Sequence, residues 1–320
     1  MEQVKTQIKG PIGIITLTNP PHNFMTAQMV RELDEVTRKW SKDSAIRSII
    51  ITGGVDGIFI THYSIKELYD AFKIFRITPK FLQRLSVGFS LFLGSFLRLI
   101  YRAFPLGIIM EKLFLLTPLY GLVQLERIHR VFKRLQLMDK VVIAAINGET
   151  MGGGCELVLS CDFRFMADGD YRIGLIEVIC GIIPGAGGTQ RLPRVIGTAK
   201  SLEMIFDGIV LEPEEAKELG LIHRVVERDR LIEEAMTLAE RMAKRPRWSI
   251  RGVKRSVYFG ASAGLTWGLE SEKANFMATG FTQDSSMAFE EYLERFNEGK
   301  RPRDIFEDFR KNDNIVFRDK

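Results

Sequence analysis

The chain has 320 residues, 46 % of them apolar and 27 % charged, with a net charge of +5, three cysteines and four histidines. That length can bury a large core, and the composition is that of a globular chain rather than a disordered one. Cys155, Cys161 and Cys180 fall at no metal-ligand spacing and no histidines pair at one, so no metal is expected. The odd cysteine count, and a start (Met1-Glu2-Gln3-Val4-Lys5) without an apolar signal segment, point to a reducing, cytoplasmic setting.

In chain order, residues 11–17 read as a strand, and Asn19-Pro20-Pro21-His22-Asn23 as a turn. Thr26 is the expected N-cap of a helix through about Trp40 with Met29, Leu33 and Val36 on one face. Ser48 to Thr52 is a buried strand ending at Gly53-Gly54. Strand, turn and helix recur at 141–159, with further strands at 162–166 and around 222–226, and 230–300 is almost entirely helix-like. Strands alternating with helices predict an α/β fold.

The interval 72–135 stands apart. Residues 69–138 carry eleven Lys/Arg against three Asp/Glu, a balance of +8, which leaves −3 for the remainder. The interval holds nine of the 22 phenylalanines, and its uncharged runs, Leu85 to Leu97 and Leu113 to Leu125, are thirteen residues each. A bilayer-spanning helix needs about twenty. Ser86, Ser90 and Gly94 form a small-residue row, Arg98 and Arg102 lie one turn apart, and Arg127, Arg130 and Arg134 line a helix face against Leu125, Ile128, Phe132 and Leu135. Because this charge is laced through apolar sequence, no nucleic-acid partner is expected.

The segment Asn147-Gly148-Glu149-Thr150-Met151-Gly152-Gly153-Gly154-Cys155-Glu156-Leu157 carries the chemistry. It follows a strand-like run and opens a helix, read as Cys155 to Leu159. Its glycines let a ligand approach the backbone, and the helix start offers N–H groups and positive dipole charge beside a glutamate. Twenty-one residues on stands Glu177, followed by Gly181-Ile182-Ile183-Pro184-Gly185-Ala186-Gly187-Gly188-Thr189-Gln190-Arg191-Leu192. That Gly-rich turn lacks the Gly-Lys-Ser/Thr ending of a phosphate loop and reads as a tight turn beneath the site.

These two segments, in this order and spacing, resemble the enoyl-CoA hydratase/isomerase (crotonase) superfamily over roughly 1–70 and 139–300. The resemblance implies a crotonase-type spiral of ββα units, with a core over 1–230 that contains the helical insertion and a helical oligomerisation region over 231–320. It implies hydration of a trans-2-enoyl-CoA to a 3-hydroxyacyl-CoA, with no cofactor beyond the coenzyme A of the substrate, by a homotrimer or homohexamer. The polarised thioester oxygen would take one N–H from Gly153, and such a donor can be worth about 3 kcal/mol. The second donor falls on Tyr63 in Phe59-Ile60-Thr61-His62-Tyr63-Ser64-Ile65-Lys66, where the family has Phe-x-x-Gly-Ala-Asp-Ile; His62 replaces its Gly and Ser64 its Asp. Glu156 would orient and activate water while Glu177, preceded by Ile176 in place of the usual proline, protonates Cα. Lys66 matches a lysine that contacts the CoA. Tyr292 and Arg295 match a Phe-x-x-Lys segment whose aromatic and base touch the CoA of a neighbouring subunit.

Alternatives stay open. The reaction could be another of the family, an isomerisation, decarboxylation or C–C hydrolysis, and the rival class is a non-catalytic acyl-CoA-binding, membrane-associated scaffold. For the insertion three readings compete: a lid and channel for a long acyl group, a membrane-surface hairpin over 75–135 that would make the protein peripheral to a membrane, and an assembly interface.

Overall fold

The computed structural model describes residues 2–76, 80, 120–243, 247–254, 257–258 and 283–311. In chain order the elements are β1 (Val4–Lys9), β2 (Ile12–Leu17), α1 (Ala27–Lys42), β3 (Ser48–Gly53), β4 (Ile58–Ile60), α2 (Ile65–Arg76), α3 (Tyr120–Leu137), β5 (Val141–Ile146), β6 (Glu149–Met151) and α4 (Gly153–Val158). There follow β7 (Phe163–Ala167), β8 (Ile173–Gly174), a 3-10 turn (Glu177–Cys180), α5 (Gly188–Ile196), α6 (Thr198–Asp207), β9 (Val210–Leu211), α7 (Pro213–Glu218), β10 (Arg224–Val226), α8 (Leu231–Ala243), α9 (Arg247–Lys254), α10 (Gln283–Asn297) and α11 (Pro302–Lys311).

One sheet runs β1-β2-β3-β5-β7-β10, parallel except for the β1–β2 pair, and a second runs β4-β6-β8-β9. The period of two along each strand sorts side chains between two cores. Ile49 and Ile51 of β3, with Val142, Ala144 and Ile146 of β5, meet Met29 and Leu33 of α1 and Ile128, Phe132 and Leu135 of α3. Ile50, Val141, Ile143 and Ala145 point the other way, onto Leu231, Ala235 and Leu238 of α8. Both faces of these strands are covered, which is why they read as unbroken apolar runs. A third cluster packs Phe72 of α2 against Phe289 and Tyr292 of α10, Phe306 of α11, Cys180 of the 3-10 turn and Ile176 just before it.

The expected helix over 26–40 is α1: the Thr26 hydroxyl accepts from the Met29 N–H at 3.1 Å, satisfying one orphan donor of the first turn. The helix expected at Cys155 to Leu159 runs Gly153–Val158, two residues earlier, because the glycines themselves form its first turn. The run Leu85 to Leu97, the Ser86/Ser90/Gly94 row and the Arg98/Arg102 pair lie outside the described residues. Among the described residues no helix is long and apolar enough to cross a membrane, and no cluster of His, Cys, Asp or Glu could hold a metal ion.

The arginine row of α3 does not line an outward rim. Asp34 of α1, 2 % exposed, accepts from Arg134 at 2.7 Å, Arg130 at 3.1 Å and Arg38 at 2.6 Å. Part of the basic excess is therefore an internal clamp between α1 and α3. Burial opposes the Asp34 charge, but the Arg130 and Arg134 guanidiniums outweigh it and hold the carboxyl at about 2, down from 3.8. A depressed carboxylate stabilises the fold above its unfolded pKa and loses that contribution as pH falls through the folded value. Asp34→Asn is expected to cost about 2 kcal/mol in urea unfolding at pH 7, the deficit closing as pH drops from 3.8 towards 2. An equal midpoint for both proteins at pH 7 would show that the clamp contributes nothing.

Candidate active site

β5 delivers the chain to Asn147, whose side chain joins two loops. Its Oδ1 accepts from the Gly53 N–H at 3.0 Å, and its Nδ2 donates to the Val55 carbonyl at 2.9 Å and the Ile58 carbonyl at 3.2 Å. Beyond β6, Gly152 has φ 49 and ψ −122, a conformation that side-chain-bearing residues rarely adopt, and this turns the chain into α4. β4 then lies directly on α4: a Cβ added to Gly154 would stand 2.4 Å from the Ile60 carbonyl oxygen.

This contact carries the segment after β4 across the helix start. A Cβ added to Gly153 would stand 3.6 Å from the Tyr63 backbone nitrogen, so the Tyr63 amide and the first amide of α4 are neighbours. Gly153 is the first helical residue, whose N–H has no intrahelical acceptor by construction. The Tyr63 backbone is held against Met25 by two bonds, the Met25 N–H to the His62 carbonyl at 2.9 Å and the Ser64 N–H to the Met25 carbonyl at 2.8 Å.

Glu156 projects from the first turn of α4 and is 3 % exposed. Its Oε1 accepts from the Ala186 N–H at 2.7 Å and the Gly188 N–H at 2.8 Å. Burial pushes its carboxyl up to about 7, against the opposing pull of those N–H groups and of the Arg191 guanidinium. The Gly185–Gly188 turn is thus more than a floor, since it holds a carboxylate. It is itself held by α3 and α5: His129 Nε2–H donates to the Gly185 carbonyl at 2.7 Å, and Arg191 bonds the Ala186 carbonyl at 2.9 Å and Gln136 at 3.2 Å.

Glu177 opens the 3-10 turn, and its Oε1 lies 3.3 Å from where a Gly152 Cβ would be. Glu156, Glu177, Gly152, Gly153 and Tyr63 line one cavity of about 330 Å³. Its other wall is mostly apolar, with Leu68, Ala71 and Phe72 of α2 and Gly121, Leu125 and Ile128 of α3, interrupted by Asp70 and Gln124.

Two further carboxylates, Glu67 and Asp70, also line this space, and the sequence singles out neither. Glu67 Oε2 accepts from the Tyr63 hydroxyl at 3.0 Å and the Ala27 N–H at 2.8 Å. Lys66 is exposed and paired with Asp70 at 2.5 Å. Tyr292 and Arg295, both on α10, have partners within the chain. Tyr292 is 2 % exposed, its hydroxyl 2.6 Å from His62 Nε2. Arg295 pairs with Glu291 at 2.6 Å and with Asp308 of α11 at 3.1 Å, because α10 and α11 pack against each other within the chain.

The enoyl-CoA hydratase/isomerase family model matches residues 7–82 and 120–300. The unmatched stretch, 83–119, falls within the 72–135 interval, and all of α3 belongs with the matched part. The short-chain-enoyl-CoA hydratase of Clostridioides difficile is 45 % identical over 145 residues, 45 % of this chain and 92 % of that protein. The protein of the same name from Clostridium acetobutylicum is 27 % identical over 296 residues, 92 % of this chain and 96 % of the other. The crystal structure of enoyl-CoA hydratase from Bacillus anthracis superposes with a TM-score of 0.62 at 27 % identity, covering 93 % of this chain and 97 % of that one. That of enoyl-CoA hydratase from Bacillus halodurans gives 0.72 at 21 % identity over 90 % and 99 %, a likeness of fold. With the layered spiral core and the family match over most of its length, the chain belongs to the enoyl-CoA hydratase/isomerase family.

Proposed function

We propose that this enzyme hydrates trans-2-enoyl-CoA thioesters to 3-hydroxyacyl-CoA. The reading rests above all on one observation: two carboxylates, Glu156 and Glu177, border the same cavity as the adjoining amides of Gly153 and Tyr63. The thioester oxygen lies between those two N–H groups, which stabilise the negative charge that grows there as water adds at Cβ. Each such donor is worth about 3 kcal/mol. Glu156 takes a proton from the attacking water and Glu177 gives one to Cα. Water is thereby added across the double bond, and solvent returns the carboxyls to their starting states. CoA enters only as part of the substrate, with Lys66, exposed on α2, as its contact.

The mostly apolar wall favours the acyl-channel reading of the insertion over the membrane reading. α2 and α3, the helices that flank 83–119, supply that wall. Self-association belongs to the same proposal: Leu202 and Phe206, one turn apart on α6, are 45 % and 68 % exposed.

A panel of trans-2-enoyl-CoAs from short to long chain, followed by loss of conjugated-thioester absorbance, tests the activity directly. Silence across the panel by a protein that still binds CoA would leave the scaffold reading standing. Glu177→Gln keeps the side-chain shape and removes the acid; kcat is expected to fall about 10²–10⁴-fold with unchanged acyl-CoA affinity. Wild-type kcat in that variant would remove Glu177 from the mechanism.

The pH profile follows from Glu156. A base works only when ionised, and a carboxyl raised to about 7 is largely protonated a unit below that. The ratio kcat/KM is therefore expected to fall about tenfold per pH unit below 7. A flat profile between pH 5 and 8 would mean that Glu156 is not the base.

A further inference from the structure

His62 and Tyr292 depart together from the family pattern, one standing for a glycine and the other for a phenylalanine. They are 230 residues apart and meet at 2.6 Å, His62 Nε2 to the Tyr292 hydroxyl. The other ring nitrogen, Nδ1, is 2.7 Å from the Tyr63 carbonyl oxygen. The directions are fixed by chemistry. A carbonyl can only accept, so Nδ1 carries the ring proton; Nε2 of the neutral ring then accepts, and the tyrosine hydroxyl donates. Burial supports the neutral form by pulling the imidazole down to about 4.

The chain of bonds thus runs from the Tyr292 hydroxyl through His62 to the backbone of Tyr63. Both peptide planes around Tyr63 are held: the His62 carbonyl accepts from Met25, and the Tyr63 carbonyl accepts from His62. The imidazole has little freedom to turn. It is 3 % exposed and meets Tyr292 and Phe306 edge-on, with ring centroids 5.4 and 5.0 Å away. A residue with a free side chain at position 62 would lack this brace, and a glycine there has none to offer.

We infer that Tyr292 is a positioning residue for the oxyanion hole, fixing through His62 the backbone whose N–H polarises the substrate. The assignment rests on the proposed role of Tyr63. It makes α10 part of the catalytic geometry without any of its atoms touching the reacting groups, and it turns two departures from the family pattern into one coupled device.

The test uses the full-length enzyme with acetoacetyl-CoA, whose enolate absorbs where the keto form does not; the enolate fraction on the enzyme reports how strongly the amides polarise the thioester oxygen. Tyr292→Phe deletes only the hydroxyl. It is expected to lower kcat on a trans-2-enoyl-CoA about tenfold, the worth of one lost hydrogen bond, with KM within about twofold. The enolate fraction should fall in step. His62→Gly, which restores the family residue, should give the same loss, and the double variant should be no worse than His62→Gly alone. Wild-type kcat and enolate fraction in Tyr292→Phe would overturn the inference. So would a loss of turnover with an unchanged enolate fraction, which is the mark of a merely structural role; if Tyr292→Phe does not fold, His62→Gly is read by the same two signals. An absence of enolate on the unaltered enzyme would instead sink the oxyanion-hole reading itself.

Discussion

The close approach of β4 to the start of α4 is the constraint from which the site follows. It depends on Gly154, because the Ile60 carbonyl occupies the space any side chain would need. With β4 pressed on the helix, the segment Thr61 to Ser64 has to cross Gly153, and the Tyr63 amide arrives beside the amide that opens α4. The Met25 bridge then holds that segment in place. A backbone that forms two adjacent N–H groups in this way is preorganised, and it does not reorient when charge develops on a bound oxygen.

The acidic half of the site is governed by burial. Glu156 sits in the interior, where ionisation is costly, yet two backbone N–H groups accompany it. The result is a carboxyl with a pKa of about 7, suited to exchange protons near neutrality. Holding the Ala186–Gly188 turn in place requires Arg191, Gln136 and His129, and two of these belong to α3. The same helix clamps α1 through Asp34. Much of its polar and basic character is therefore internal framework, which explains why α3 belongs with the family core and not with the unmatched stretch before it.

How much of this was legible in the sequence depends on the kind of group involved. β3 and β5 were legible because both faces are buried and the apolar runs are unbroken. The Gly-Gly-Gly-x-Glu segment was legible because glycine and glutamate carry their chemistry in the residue itself. β1 was missed, being an edge strand whose Lys5, Thr6, Gln7 and Lys9 face out. β4, β6, β8 and β9 have two or three residues each, too short to show any period. The N–H donors of Ala186 and Gly188 were invisible because a backbone donor leaves no mark on residue identity. The His62–Tyr292 contact spans most of the chain, so only the folded structure reveals that two separate departures answer each other.

The central claim is that water adds across a conjugated thioester between two carboxylates. Turnover of a trans-2-enoyl-CoA in ¹⁸O-labelled deuterated water, with mass analysis of the product, tests it most directly. The account predicts a 3-hydroxyacyl-CoA with one ¹⁸O at Cβ and one deuterium at Cα. A product with a shifted double bond and no ¹⁸O would contradict it and assign the same cavity to isomerisation.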